Sequence, residues 1–348
     1  VLNIGHAGTA MRFLTALLAL ENFEGVLTGS DRMLNRPIGP LVSALQQLGF
    51  AVSSREGHFP PVHFEKCTSA IGNSVHIDGH ISSQFISALM MVGPLLPNGL
   101  AIHLNTPLTS IPYAKQTALL MEQFGASAMI EEQIITIPKG SYTPQDYVVE
   151  ADWSAFGYIA TCVLLTGKPC FIENLFPTQL QGDFKVLSVF EQLGLSVAFN
   201  PQGAEVSKKS DFNLPNTLVV NFSNIPDQAQ TIMVLCAALG VHLLATGLHT
   251  LKIKETDRVA AVAQELAKFG IVVSYPEEIL PETVVEVSGQ FAFNQDVIDL
   301  KSYQDHRMVM AFAPLAVFGN IDFDVPDEVK KSFPTFWDEL LKLGYRYI

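Results

Sequence analysis

The stretch Lys254-Glu255-Thr256-Asp257-Arg258-Val259-Ala260-Ala261-Val262-Ala263-Gln264-Glu265-Leu266-Ala267-Lys268-Phe269-Gly270-Ile271-Val272-Val273 decides how the rest of the chain is read. Its middle is an amphipathic helix: Val259, Val262, Leu266 and Phe269 recur at helical spacing, and Gly270 ends the run. Glycine there supplies a left-handed C-cap, and the β-branched residues that follow read as a strand. The opening five residues are nearly all ionisable. Thr256 or Asp257 can cap the helix by accepting its orphan N–H groups. Lys254 and Arg258 stand four apart and share a face in helical geometry. Two cations at the positive end of a helix repel each other and the dipole, which makes sense where an anion is bound. The plain alternative is a solvated helix start with mixed salt bridges.

The same pattern returns along the chain. Amphipathic helices are expected at 38–48, 115–124, 184–193, 259–269 and 335–343, closed by Gly49, Gly125, Gly194, Gly270 and Gly344 at separations of 76, 69, 76 and 74 residues. Upstream of each lies a helix that is apolar nearly all round, at 9–20, 83–95, 154–166, 229–239 and 306–317. Such helices belong inside a fold. A fixed period means repeated units, and each unit reads as buried helix, strand, amphipathic helix and further strands, an α/β or α+β architecture with helices enclosed by sheets. The register of the glycines sets Val1 about a third of the way into a unit, with Val1-Leu2-Asn3-Ile4 as a strand, so an N-terminal piece of the fold is expected to lie outside this sequence.

Composition narrows the function. At 348 residues with 48% hydrophobic content, the chain is long enough for two domains. No run reaches the roughly 18 apolar residues of a membrane helix, and no secretory signal is visible. The four cysteines (Cys67, Cys162, Cys170, Cys236) show no metal or redox spacing, which suits a reduced, cytoplasmic protein. A net charge of −13 argues against nucleic acid. Yet most of the arginines, Arg12, Arg32, Arg36, Arg258 and Arg307 among them, fall in short polar segments, as a localised anion site within an acidic protein would require.

Those segments track the repeat. Gly5-His6-Ala7-Gly8-Thr9-Ala10-Met11-Arg12 runs from a strand into the first buried helix, where small residues and helix N–H groups favour an anion. Asp31-Arg32-Met33-Leu34-Asn35-Arg36-Pro37 feeds the next helix, with Pro37 read as its first residue. Ser82-Ser83-Gln84 offers more hydroxyls and amide than a cap needs, and Ser110-Ile111-Pro112-Tyr113 precedes the next helix. Asp152-Trp153-Ser154, Gln181-Gly182-Asp183, Ile225-Pro226-Asp227, Asp305-His306-Arg307-Met308 and Lys331-Ser332-Phe333-Pro334 stand at later helix starts. Asp227 reads either as an N-cap or as a carboxylate that takes a substrate hydroxyl proton.

Gly8-Thr9-Ala10-Met11-Arg12, Arg32-Met33 with Arg36-Pro37-Ile38-Gly39, Ser82-Ser83-Gln84-Phe85, and the later motifs through Lys331-Ser332-Phe333-Pro334 occur in an order that resembles the 5-enolpyruvylshikimate-3-phosphate synthase family. The resemblance implies a two-domain enolpyruvyl transferase fold of βαβαββ units, an inside-out α/β barrel type, with five units recognisable here. Residues 1–147 would form a domain contributing mainly shikimate-phosphate contacts and lacking its N-terminal repeat. Residues 148–348 would form a second domain with Asp227, Lys254 to Arg258, Arg307 and Lys331.

The implied reaction joins phosphoenolpyruvate to shikimate 3-phosphate and releases phosphate, by a monomer with no metal, cofactor, nucleic acid or membrane. Phosphoenolpyruvate would meet Gly8, Arg32, Gln84, Arg258, Arg307 and Lys331. Shikimate 3-phosphate would meet Ser82, Ser83, Gln84, Ser110, Asp227 and Lys254. The expected catalytic group is Asp227 as base toward the hydroxyl, Glu255 as proton donor and acceptor at the methylene, and Lys254 at the reacting oxygens. The chain departs from the family at His6, Phe13, Ile111, Ala155-Phe156-Gly157 and Thr250, and the family's N-terminal Lys-Ser and nearby Arg have no counterpart. Three rivals are a UDP-N-acetylglucosamine enolpyruvyl transferase, which would want a reactive cysteine in an exposed basic loop, a non-catalytic remnant, and an RNA-terminal phosphate cyclase-like protein, which the charge of −13 and the lack of a nucleotide motif fit poorly.

Overall fold

The repeat in the sequence is a repeat of strand pairing. The computed structural model describes residues 1–68, 71–108, 111–178 and 180–346, and the chain divides into two units, Val1–Tyr147 and Val148–Ile348. The first contains β1 (Leu2–Asn3), α1 (Gly8–Leu20), β2 (Gly25–Thr28), α2 (Gly39–Gln47), β3 (Val52–Arg55) and β4 (Phe59–Phe64). It continues with β5 (Ser74–Asp78), α3 (Ser83–Val92), β6 (Leu100–Thr106), α4 (Ile111–Gln123), β7 (Met129–Ile130) and β8 (Ile134–Ile137). The second contains α5 (Trp153–Thr166), β9 (Cys170–Glu173), α6 (Val186–Gln192), β10 (Leu195–Asn200) and β11 (Gly203–Lys208). Then come β12 (Thr217–Asn221), α7 (Ala229–Leu239), β13 (His242–Thr246), α8 (Arg258–Ala267), β14 (Ile271–Ser274) and β15 (Val285–Gly289). The chain ends with β16 (Val297–Leu300), α9 (His306–Phe312), β17 (Asn320–Phe323) and α10 (Phe336–Lys342).

Three sheets share one wiring: β1-β2-β4-β3, β5-β6-β8-β7 and β12-β13-β15-β14. In each, the first two strands are parallel and the last two add as an antiparallel hairpin. Parallel neighbours need a crossover of a dozen or more residues, which the first helix of the unit supplies; the closing hairpin needs only a turn. Among the described residues, the sheet β10-β11-β9 has no leading strand, and the parallel pair β16-β17 has no closing hairpin.

The two helices of a unit differ as their patterns require. Residues 229–237 of α7 are all buried, whereas α8 buries only Arg258, Val259, Ala261, Val262, Glu265 and Leu266. Each large apolar side chain so buried contributes about 1.5–3 kcal/mol, which keeps the polar helix starts in fixed positions. Helix α1 departs from the expectation of full burial: Leu17 is 41% exposed. It packs against α2 and α3, while α7 has α5, α8 and α9 around it. No helix among the described residues is long and apolar enough to cross a membrane.

Three local expectations are corrected. Pro37 is not the first helical residue: the Ile38 and Gly39 N–H groups both donate to the His58 carbonyl, at 2.9 and 3.0 Å. That turn delays α2 to Gly39, with Pro40 in its first turn. Helix α4 begins at Ile111 rather than 115, because Pro112 near a helix start lacks only an N–H that has no intrahelical partner anyway. Residues 254–257 are not helical: Lys254 has φ −79° and ψ −144°, and α8 begins at Arg258 with Asp257 as its cap, accepting from Ala260 N at 3.1 Å. Lys254 and Arg258 therefore do not share a helix face.

Candidate active site

In the second unit, four separate segments bring their polar residues together. Asp227 lies in the 3-10 turn Pro226–Gln228 ahead of α7. Lys254 and Glu255 follow the 3-10 turn His249–Ile253, and Arg258 opens α8. Asp305 caps α9, accepting from Arg307 N at 3.0 Å. Lys331 ends the 3-10 turn Pro326–Lys331.

Arg258 is the hub. Its Nε donates to Asp305 Oδ2 at 2.8 Å, its Nη1 to Asp227 Oδ1 at 2.9 Å and its Nη2 to Glu255 Oε2 at 2.9 Å. The guanidinium is 2% exposed and Asp305 is fully buried. Arg307 Nη2 donates to Asp227 Oδ2 at 3.0 Å, and its Nη1 donates to the Tyr158 hydroxyl at 3.0 Å. Lys254 Nζ lies 3.7 Å from Asp227 Oδ1, and Lys331 Nζ donates to Glu255 Oε1 at 3.0 Å. Lys254 and Arg258 do meet, then, but through a shared carboxylate and not through helical spacing. Asp227 accepts from arginines instead of from a helix N–H, so its capping reading gives way.

The electrostatics separate two neighbouring aspartates. Burial by itself would push the Asp227 carboxyl up, but Arg307, Lys254 and Arg258 outweigh it and hold the group well below the usual carboxylate range. Asp183, in the 3-10 turn Gly182–Lys185, is pushed up to about 6 by burial and by Asp227. Its Oδ2 accepts a short bond from Ser154 Oγ. Burial and then Arg307 push His306 down to about 4, so its ring is neutral at physiological pH. The Asp183 and Asp305 roles were missed in the sequence, although both stand inside motifs quoted there; nothing local shows what a carboxylate will face.

The first unit assembles a different set. Ser82 caps α3, accepting from Gln84 N at 3.3 Å, and Ser83 is buried. Gln84 Nε2 donates to Thr9 Oγ1 at 3.2 Å, joining the starts of α3 and α1. A methyl group at Gly8 would lie 2.6 Å from Arg36 Nη1 and 2.8 Å from Arg12 Nη1, so this backbone is pressed against two guanidiniums. Arg32 precedes the 3-10 turn Met33–Asn35. The Ser110 assignment falls outside the described residues.

The cysteines do not form the nucleophile that the UDP-N-acetylglucosamine alternative needs. Burial pushes the Cys162 thiol up to about 12 and Cys170 up to about 11, and raises Cys236 further. Cys67 Sγ donates to the Gly49 carbonyl at 3.1 Å. Among the described residues, no group of His, Cys, Asp or Glu is placed to hold a metal ion.

A family model described as EPSP synthase (3-phosphoshikimate 1-carboxyvinyltransferase) matches residues 1–340. A 3-phosphoshikimate 1-carboxyvinyltransferase of Bacteroides fragilis is 39% identical over 99% of this chain and 83% of its own length. One from Methanospirillum hungatei is 32% identical over 98% of this chain and 79% of its own. Among solved structures, an EPSP synthase of Acinetobacter baumannii superposes with a TM-score of 0.76 at 21% identity, covering 98% of this chain and 78% of that one. The enolpyruvyl transferase NikO of Streptomyces tendae superposes at 0.68 and 14% identity, covering 95% and 75%. The two structures speak to the fold; the sequence relatives and the near-complete family match go further, and with them the chain belongs to the EPSP synthase family.

Proposed function

We propose that this chain transfers the enolpyruvyl group of phosphoenolpyruvate to the 5-hydroxyl of shikimate 3-phosphate and releases inorganic phosphate, acting in the cytoplasm as a monomer. The observation that carries the reading is the meeting of Lys254, Arg258, Arg307 and Lys331 with Asp227 and Glu255. Four cations from distant segments suit a polyanionic substrate pair, and the two carboxylates suit proton transfer.

In this reading the hydroxyl oxygen bonds to the enol carbon as its proton leaves, and the methylene gains a proton, giving a tetrahedral intermediate. The methyl group then loses a proton as the carbon–oxygen bond to phosphate breaks. Glu255 serves the methylene in both steps; Lys331 on one carboxylate oxygen and Arg258 on the other fix its orientation. Lys254 stabilises charge at the reacting oxygens. Phosphoenolpyruvate is assigned Gly8, Arg32, Gln84, Arg258, Arg307 and Lys331. Shikimate 3-phosphate is assigned Ser82, Ser83, Gln84, Ser110, Asp227 and Lys254.

The geometry refines the part of Asp227. A carboxylate held by three cations is firmly ionised and weakly basic. It orients the hydroxyl as an acceptor from the outset. It becomes a better base when an anionic substrate draws Arg307 and Lys254 away from it, which couples base strength to substrate binding.

The test is phosphate release from phosphoenolpyruvate that depends on shikimate 3-phosphate. Asp227→Ala and Glu255→Ala are each expected to lower kcat by about a hundredfold or more. Near-normal turnover in either variant would sink that residue's role, and phosphate release without shikimate 3-phosphate would sink the reaction.

A further inference from the structure

Arg12 stands apart from the other buried cations. It is 4% exposed, and its guanidinium reaches only neutral groups: Nη1 donates to the Gly8 carbonyl at 2.9 Å and Nη2 to the Pro37 carbonyl at 3.0 Å. Its Nε has no partner. The ring of Phe85 lies 5.9 Å from the guanidinium carbon. Arg36, partly buried, brings a second guanidinium against the same Gly8 backbone. Among the described residues neither arginine has an ion pair, and the Arg36 side chain has no hydrogen bond; only its backbone N–H donates, to the Met33 carbonyl at 3.1 Å. Burial and then Arg36 lower Arg12 to about 10. A protein that needed only structure here would set a carboxylate beside the pair, as the second unit does beside Arg258. A desolvated cation with a second, partly buried one against it is tolerated where a ligand neutralises the pair.

The geometry points to a role for Arg36, paired with Arg12 across Gly8, as a further substrate-binding residue that receives the phosphoryl oxyanion of phosphoenolpyruvate. The planar forks of two guanidiniums offer parallel N–H donors to a tetrahedral oxyanion. Gly8 lets them approach, since any side chain there would meet both nitrogens. Arg12 is held by two backbone carbonyls and fixes the pocket; the Arg36 guanidinium has no hydrogen bond to give up and closes on the anion. This assignment rests on the reaction proposed above for the identity of the anion, and on the arginine pair alone for the presence of an anion site.

The test is equilibrium binding to the wild type, Arg36→Gln and Arg36→Lys, with inorganic phosphate, phosphoenolpyruvate and shikimate 3-phosphate as separate probes. Arg36→Gln is expected to weaken phosphate and phosphoenolpyruvate at least tenfold and to leave shikimate 3-phosphate unchanged. Arg36→Lys, which keeps the charge and loses the fork, is expected to recover part of the loss. Without ligand, Arg36→Gln is expected to melt no lower than the wild type, because a like-charge contact is relieved. With phosphate, only the wild type and Arg36→Lys should gain stability. A purely structural Arg36 would give the opposite melting result and overturn the proposal. Unchanged phosphate affinity in Arg36→Gln would overturn it too, and weakened shikimate 3-phosphate binding would overturn the choice of phosphoenolpyruvate. Wild-type binding of phosphate through Arg36, with neither organic substrate bound, would instead refute the proposed reaction and leave the anion site standing.

Discussion

Arg258 and Arg12 are buried to nearly the same degree, 2% and 4% exposed, yet they sit in opposite surroundings. Arg258 touches three carboxylates, those of Asp305, Asp227 and Glu255. Arg12 touches two carbonyl oxygens and a second arginine's neighbourhood. Burial disfavours both guanidiniums, but the acids around Arg258 raise its pKa while Arg36 adds to the fall at Arg12. The second unit is thus electrically settled without ligand, and its cations must be drawn from internal acids before they serve an external one. Among the described residues of the first unit, Arg12 and Arg36 have no carboxylate beside them. The lesson is that a cluster's partners, more than its depth, decide whether it holds the fold or awaits a ligand.

The largest effect that could break this contrast is at Arg258. Replacing it by Met leaves Asp305 and its neighbours buried without their cation, and should cost roughly 3–5 kcal/mol of stability in denaturant unfolding. A loss below about 1 kcal/mol would show that the network does not hold the fold.

Asp183 gives the next largest effect, with a sign set by pH. Its folded pKa of about 6 lies above the usual carboxyl value. The folded state therefore holds the proton more tightly, so this group's stabilising contribution is complete in acid and is lost as pH rises toward 6. Asp183→Asn, which keeps an acceptor for Ser154, should leave stability near wild type at pH 4 and raise it by roughly 2–3 kcal/mol at pH 7.5. Urea melts at the two pH values check this; equal effects at both would remove the charge of Asp183 from the account.

The smallest change is expected at Arg12. Arg12→Met loses two hydrogen bonds to carbonyls, about 1 kcal/mol each, and relieves a desolvated charge. A net cost of roughly 1–2 kcal/mol in the same unfolding assay would keep the two arginines distinct. A cost equal to that of Arg258→Met would erase the distinction.

Much of this was legible in advance. Glycines at fixed separations located the helix ends, and the apolar pattern told enclosed helices from amphipathic ones. The motifs at helix starts marked where the polar residues gather. Errors fell where a remote contact overrode a local signal. The His58 carbonyl took the N–H groups of Ile38 and Gly39 and moved a helix start away from Pro37. The chain at 254–257 stayed outside the helix, and from there Glu255 reaches both Lys331 and Arg258.

The sequence by itself determined the repeating unit, because period, caps and turn residues act over a few positions. It determined the family as well, through motifs in order along nearly the whole chain. Only the tertiary structure decided which charge meets which. Arg258 and Asp305 are 47 residues apart, and Arg307 and Asp227 are 80 apart. They meet because α7 packs against both α8 and α9, and Asp227, Arg258 and Asp305 each stand at or just before the start of one of these helices. The same packing drives Asp227 and Asp183, one residue type in one cluster, to opposite sides of the ordinary carboxyl range, since only one of them faces three cations.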